Sequence, residues 1–381
     1  MAEALALAEE GLWTTTPNPR VGCVLVKNGQ ILGRGGHKRA GEPHAEILAL
    51  REAGEAAQGA VAYVTLEPCA HYGRTPPCAD ALVRAGVCRV VAAMEDPNPQ
   101  VAGRGLQRLR AAGIAVEQGL MEADARELNL GFISRMTRQR PWTRLKIAAT
   151  LDGKTALNNG VSQWLTGDAA RADGRRFRAR SCALLTGMGT VRADDPQLNV
   201  RLPDATRQPW KVILDSRLEI SPDARLLREG KILLVSSRNA PEQLDALRQK
   251  MAARGARGEV EWLCLPAEEK QIDLRALMTE LGRREINELH VEAGATLSGA
   301  LLSLGLADEL LLYFAPLAAG NAARGMFALP ELTALEQAFR FRFGEARKIG
   351  DDLRVQMRLA SAAPQPHALC PQSKEEKGER L

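Results

Sequence analysis

Residues that hold one metal ion must meet in space, and that requirement constrains the first third of this chain more than any other feature. His44-Ala45-Glu46 is followed by Glu67-Pro68-Cys69 and by Pro77-Cys78. Together they offer one imidazole, two thiolates and a carboxylate two residues from the His. Zinc held by three protein ligands keeps its fourth tetrahedral position for water, which marks a catalytic rather than a structural site. The bound ion lowers the pKa of that water to about 7, so hydroxide is available at neutral pH. Glu46 is too close to His44 to serve conveniently as a fourth ligand, but it is well placed to move protons. Patterning around the three ligands predicts a helix starting near His44, a strand AYVTLE that delivers Cys69, and a helix CADALVRAG opened by Cys78. Two helix starts and a strand end can converge only around a central sheet, so the expected first domain is a three-layer α/β/α unit. The helix start should favour thiolate at Cys78 through its exposed N–H groups and dipole.

The order H-x-E, P-C, C is the signature of zinc deaminases, in which the Glu is the general acid/base and not a ligand. Here eight residues, AHYGRTPP, separate the two cysteines, whereas the usual spacing is two. That insertion carries His71, Tyr72 and Arg74 beside the metal, where they could meet substrate. The competing reading makes Cys69 and Cys78 small buried residues and His44 a satisfied core His. The ordered HAE, PC and PPC segments speak against it.

A chain of 381 residues exceeds one ordinary core and suggests two domains. The rest of the first block reads as helix MAEALALAEEGL, a hairpin VGCVLVK/QILGRG turning at Asn28-Gly29, strand RVVAAM, helix GLQRLRAAG, strand IAVEQG and one long helix MEADARELNLGFISRMTRQ. Pro141 marks the boundary, giving domains 1–140 and 141–360. In the second domain strands alternate with helices from TRLKIAATLDG to ELLLYFAP, which implies a largely parallel sheet. Residues 361–381 are polar and unpatterned, and are expected to be a disordered tail. Seven cysteines, two of them in a metal pattern, argue against a disulfide framework. No apolar run approaches the roughly 18 residues of a membrane span, and the first residues lack a basic leader. A cytoplasmic enzyme without membrane or nucleic-acid partners is expected. The net charge of +5 is mild and suits an anionic small molecule.

Glu292-Ala293-Gly294-Ala295-Thr296-Leu297 follows a strand and precedes a helix, a turn able to present backbone N–H groups to phosphate. A purely structural Gly294 remains an equal alternative. Leu185-Thr186-Gly187-Met188-Gly189-Thr190 is a second such strand end, and its G-x-G-T is not a Rossmann fingerprint. The Arg-rich helix GDAARADGRRFRARS, with Arg171, Arg175, Arg176, Arg178 and Arg180, reads as a solvated face, from which one Arg could reach a phosphate.

The motifs together resemble the RibD family of bifunctional riboflavin-biosynthesis proteins, over residues 1 to about 359. The matching runs are TTPNPRVGCV (15–24), GEPHAE (41–46), TLEPCAHYGRTPPC (65–78), DPNPQVAGRG (96–105), LDGKTA (151–156), SQWLT (162–166), TVRADDPQLNVR (190–201) and VEAGATLSGALL (291–302). That resemblance implies an α/β chain of two units: a cytidine-deaminase-like domain with one Zn²⁺, then a dihydrofolate-reductase-like domain that uses NADPH. By position, it implies His44, Cys69 and Cys78 as zinc ligands and Glu46 as proton shuttle. Asn18, His71, Arg74, Asp96 and Asn98 fall in the deaminase pocket segments, with the ribose phosphate expected at His71 and Arg74. NADPH-contacting positions are Ala148, Trp164, Thr190, Asp194, Ser216, Gly294, Ala295, Thr296, Leu297, Ser298, Gly299 and Ala300. Ser162, Arg178, Leu198, Arg201 and Glu292 match positions that contact the phosphoribosyl substrate. Ala70, Ala295 and Asn199 depart from the family's usual Ser, Pro and Thr, none of which carries the chemistry.

The implied reactions are hydrolytic deamination of 2,5-diamino-6-ribosylamino-4(3H)-pyrimidinone 5′-phosphate and NADPH-dependent reduction of the ribosyl side chain to ribityl. Lys146 or Lys154 would assist an imine only in a secondary role. A homo-oligomer is expected. Two other classes compete. A nucleic-acid base deaminase needs a basic, aromatic-interleaved surface, which 4% aromatic content does not favour. A structural metal site in a binding protein would have no use for Glu46.

Overall fold

The computed structural model describes residues 1–70, 76–99, 101–203, 205–267 and 271–360. The first block runs α1 (Ala2–Glu9), β1 (Gly22–Lys27), β2 (Gln30–Gly36), α2 (Ala45–Ala53), β3 (Val61–Val64), α3 (Cys78–Arg84), β4 (Arg89–Ala92), α4 (Arg104–Ala111), β5 (Ala115–Gln118), α5 (Glu122–Leu128) and α6 (Leu130–Arg138). Its five strands lie in the order β2-β1-β3-β4-β5, with β1 antiparallel to both neighbours and β3, β4 and β5 parallel. Asn28 and Gly29 both take positive φ (54° and 77°), as the primed two-residue turn of a β-hairpin requires.

The three layers follow from small residues on β2. Successive strand residues point to opposite faces. A Cβ on Gly35 would meet the Ala45 carbonyl oxygen at 1.9 Å, and one on Gly36 the Leu7 carbonyl oxygen at 2.5 Å. Hence α2 lies directly on one face of the sheet and α1 on the other. The close seat of α2 matters because it carries His44 and Glu46. Gly35→Ala should push α2 off the sheet, costing about 1–3 kcal/mol for overpacking and lowering zinc content. Denaturant midpoints and metal per chain would show it, and unchanged zinc content would sever the link between this contact and the site.

The predicted helix over 121–139 is two helices. Asn129 is buried and leaves helical geometry (φ −115°). Its Oδ1 accepts from Arg20 N (2.8 Å) and its Nδ2 donates to Arg20 O (3.0 Å), so a bond to another segment replaces helical continuity.

The second block comprises β6 (Trp142–Thr150), β7 (Lys154–Ala156), α7 (Asp168–Arg180), β8 (Ala183–Gly187), α8 (Met188–Asp194), β9 (Trp210–Leu214), β10 (Lys231–Ser236), α9 (Pro241–Ala253), β11 (Glu259–Cys264), α10 (Leu274–Arg283), β12 (Glu288–Val291), α11 (Ala295–Ser303), β13 (Glu309–Ala315), β14 (Arg324–Gly325), β15 (Phe341–Ile349) and β16 (Asp352–Leu359). Nine strands form one sheet in the order β11-β10-β9-β8-β12-β6-β13-β16-β15. The first seven are parallel, as expected, and β16 and β15 add an antiparallel edge that the sequence reading missed. On β15 most side chains are exposed, so its apolar signal is weak. The short α8 was also missed. Among the described residues no helix is long and apolar enough to cross a membrane, and the six described cysteines are free. The expected disordered tail, 361–381, lies outside the described residues.

The two sheets meet through polar groups. Buried Glu288 on β12 receives Arg20 of the first block (2.8 Å) together with Arg144 (3.2 Å) and Arg180 (2.8 Å) of the second. Thr16 Oγ1 lies 2.9 Å from Cys182 Sγ, and Arg207 Nε donates to the Trp13 carbonyl at 3.0 Å.

Candidate active sites

His44 is the residue before α2, and Cys78 is the first residue of α3. Cys69 stands five residues beyond the end of β3. One ligand atom from each lies within 4.8 Å of the others. His44 Nδ1 is 3.2 Å from Cys78 Sγ and 3.8 Å from Cys69 Sγ. Tetrahedral zinc with bonds of about 2.1 Å to N and 2.3 Å to S separates such atoms by about 3.6 Å, so this donor set fits zinc. The ring of His37 stacks edge-on to that of His44 at 5.3 Å, and its Nε2 lies 3.1 Å from Asn18 Nδ2. Burial lowers the pKa of His37.

The two thiols are tightly coupled. Cys78 donates to Cys69, and the Cys78 backbone N–H also points at Cys69 Sγ (3.3 Å). These donors lower Cys69 to about 4, while the shared hydrogen bond and burial push Cys78 far up. The first N–H group of α3, which was expected to favour thiolate at Cys78, points at Cys69 Sγ.

Glu46 is buried in the first turn of α2. Burial, and then the charge of Cys69, raise its carboxyl to about 7. A cavity of about 530 Å³ exposes Glu46, His44 and Cys69 to Asn18, His37, Asp96 and Asn98. Cys78 lies behind this wall. His71 and Arg74 fall outside the described residues. Sequence reasoning gave no role to Glu67, which is buried and accepts N–H bonds from Asp96, Gly103, Gly105 and Leu106 (2.7–3.3 Å). It folds the 96–106 segment around its carboxylate and so holds Asp96 against the cavity. Nor did spacing reveal Phe132, Arg135, Met136 and Glu285, which complete the wall.

A second cavity, about 790 Å³, opens at the C-terminal ends of the parallel strands of the larger sheet. There the chain leaves β8 and β12, adjacent strands, into α8 and α11, the sort of crevice in which open α/β sheets bind ligands. Ala148, Ser162, Thr190, Asp194, Ser216, Glu292, Gly294, Ala295, Thr296, Leu297 and Ala300 all line it, beside Lys146. Gly294 precedes α11 with no side-chain cap, and a Cβ there or on Gly189 would meet nothing within 4 Å. Open glycine backbone at a helix start fits the pyrophosphate of a dinucleotide. Burial lowers the pKa of Lys146.

The remaining predicted positions are not on this wall. Arg178 forms a bidentate pair with Glu292 (2.9 and 2.8 Å) and also donates to the Asn199 carbonyl. Against the upward push of burial, that guanidinium holds Glu292 well below the usual carboxylate range. Ser298 is buried, and a Cβ on Gly299 would strike the Ala328 carbonyl, so both face the core side of α11. Leu198 is buried with φ 53°, and Arg201 is exposed near Arg175 and Arg178. Trp164 is 71% exposed, with the Arg171 guanidinium 4.5 Å above its ring.

Two family models match the two halves of the chain. The cytidine and deoxycytidylate deaminase zinc-binding region matches residues 1–94, and the RibD C-terminal domain matches residues 141–355. The riboflavin biosynthesis protein RibD of Escherichia coli (strain K12) is 50% identical over 365 residues, covering 93% of this chain and 96% of that one. Acinetobacter baumannii RibD (form 1) superposes with a TM-score of 0.84 at 44% identity, covering 94% and 98% of the two chains. The diaminohydroxyphosphoribosylaminopyrimidine deaminase/5-amino-6-(5-phosphoribosylamino)uracil reductase of Thermotoga maritima gives 0.81 at 32% identity, covering 94% and 97%. Near-complete coverage at this identity is decisive: the chain belongs to the RibD family, bifunctional enzymes of riboflavin biosynthesis that join a zinc-binding deaminase domain to a reductase domain.

Proposed function

We propose that residues 1–140 deaminate 2,5-diamino-6-ribosylamino-4(3H)-pyrimidinone 5′-phosphate and that residues 141–360 reduce the resulting ribosylaminouracil phosphate with NADPH. The observation that carries this reading is the meeting of His44 Nδ1, Cys69 Sγ and Cys78 Sγ beside a buried carboxyl group. These three would hold the zinc ion, which supplies a Lewis acid able to activate water at neutral pH. Glu46, buried beside these ligands, takes a proton from the attacking water and returns it to the departing ammonia. Water adds at the ring carbon bearing the 2-amino group, the C–N bond breaks, and the ring keeps the oxygen. Asn18, Asp96 and Asn98 orient the pyrimidine from the cavity wall.

In the second domain NADPH supplies hydride. Gly294 to Leu297 would cradle its phosphates at the start of α11, and Thr190, Asp194 and Ser216 would flank it. Glu292, fixed by Arg178, would meet the ribosyl hydroxyls, so that the sugar carbon is presented to the nicotinamide. Exposed Trp164 and Arg201 would reach the ligands from outside the cavity wall, while buried Leu198, Ser298 and Gly299 support that wall from behind. On this reading the enzyme works in the cytoplasm as a homo-oligomer, without membrane or nucleic-acid partners.

Stripping zinc with a chelator should abolish ammonia release while sparing NADPH oxidation on pre-formed ribosylaminouracil phosphate. Loss of both reactions in protein that stays folded would overturn the assignment of one reaction to each domain.

A further inference from the structure

The cavity above the zinc ligands is not built by the first sheet alone. Phe132, Arg135 and Met136 of α6 form part of its wall, and Glu285, on the turn leading into β12, forms another. Arg135 is braced from both domains. Its Nε donates to Asn287 Oδ1 at 2.6 Å and its Nη2 to the Pro17 carbonyl at 3.1 Å, while Asn287 Nδ2 donates to that same carbonyl at 3.0 Å. The guanidinium carbon sits 5.8 Å from the centre of the Phe132 ring.

All of these partners are neutral. Other arginines at the junction have carboxylates: Arg20 pairs with Glu288, and Arg138 and Arg140 pair with Asp308. Arg207 has carbonyl partners only, but donates to three of them and lies outside the cavity. Arg135 alone of these faces a substrate cavity, and no carboxylate comes within ion-pair distance of it among the described residues. Burial lowers its pKa, and only the field of Glu285 and a weaker one from Cys182 oppose that. A partly desolvated cation with neutral partners and donor capacity left over at Nη1 is completed by an anion.

We propose that Arg135 is the residue by which the deaminase pocket selects a phosphorylated substrate, its guanidinium donating to the phosphate oxygens. This rests on the deaminase reading above and adds a recognition element on α6, held in place by Asn287 of the second domain. Glu285 shares the cavity and opposes a dianion, so the two side chains should act with opposite sign.

The test compares ammonia release from the diaminopyrimidine ribonucleotide and from its dephosphorylated nucleoside, in zinc-loaded full-length protein. Arg135→Gln should raise KM for the phosphorylated substrate by about 10- to 100-fold, the range expected for a lost charge-assisted hydrogen bond, with kcat and nucleoside turnover little changed. Arg135→Lys should recover part of the loss, and Glu285→Gln should lower KM for the nucleotide. Asn287→Ala should reproduce a fraction of the Arg135→Gln effect. Equal losses on both substrates would make Arg135 a structural residue, and unchanged selectivity would remove it from recognition; either overturns the proposal. Should Arg135→Gln fail to bind zinc or to fold, Arg135→Lys and Glu285→Gln decide, since a structural role predicts no improvement from the latter. Absence of ammonia release by the unaltered enzyme on the nucleotide would instead defeat the underlying deaminase reading.

Discussion

Glu46→Gln is expected to lower ammonia release by about 10²- to 10⁴-fold, with one zinc per chain retained and reductase turnover intact. The amide has nearly the same shape as the carboxyl, and Glu46 is not among the three converging ligand atoms. Packing and metal binding should therefore survive while the proton carrier is lost. The pH profile gives a sharper signature. Glu46 must be ionised to accept a proton, so turnover falls as pH drops through its pKa. Burial and the charge of Cys69 raise that pKa to about 7, and a cation in the adjoining site pulls it lower, so the acid limb should lie below pH 7. In Glu46→Gln that limb should vanish from the residual activity. An unchanged limb would mean that another group carries the proton.

The largest stability effect should come from Glu288→Gln. This buried carboxylate meets Arg20, Arg144 and Arg180 at 2.8–3.2 Å. Breaking a buried ion network from one side leaves unmatched charge and typically costs about 3–5 kcal/mol. Burial would raise the carboxyl's pKa, but Arg180, Arg20 and Arg144 outweigh it and hold the group far below the usual range. Nearby Glu309 is likewise held down, to about 2, chiefly by Arg144 against burial. For carboxylates depressed in the folded state, the stabilisation is fully present above the unfolded pKa of about 4.3 and disappears as pH falls towards the folded value. Acid unfolding should thus set in between pH 4.3 and 2, and Glu288→Gln should flatten this dependence. Denaturant titrations across that range test it. A shift below about 1 kcal/mol at neutral pH would show that the three arginines find other partners.

Much of this was legible because the chemistry is local. The spacing of His44, Cys69 and Cys78 against helix and strand patterns anticipated the convergence of these three side chains and the layered first domain. The parallel strands of the second domain announced themselves as apolar runs bounded by helices. What escaped depended on contacts between distant segments. Asn129 looks like an ordinary helical residue until Arg20 is packed against it. The strands β15 and β16 carry alternating charges because one lies at a solvent edge. Arg135 lies about 150 positions before Glu285 and Asn287 and meets them only where the two blocks touch, so no motif joins them. The aim of the Cys78 N–H group at Cys69 Sγ is likewise something that spacing does not specify.

The strand order carries a consequence for synthesis on the ribosome. The small sheet is built from neighbours in sequence and has every strand once Gln118 has emerged. The large sheet begins with β6, yet both strands that flank it, β12 and β13, are translated last but a few, from Glu288 to Ala315. Until then β6 has no partner, and β8 lacks its second neighbour. The nascent chain therefore carries a finished deaminase scaffold for over a hundred residues while an apolar strand waits unpaired beside it. Long-range pairing of this kind slows folding and exposes sticky edges. The vulnerable interval for the enzyme is its birth, and it belongs to the reductase half.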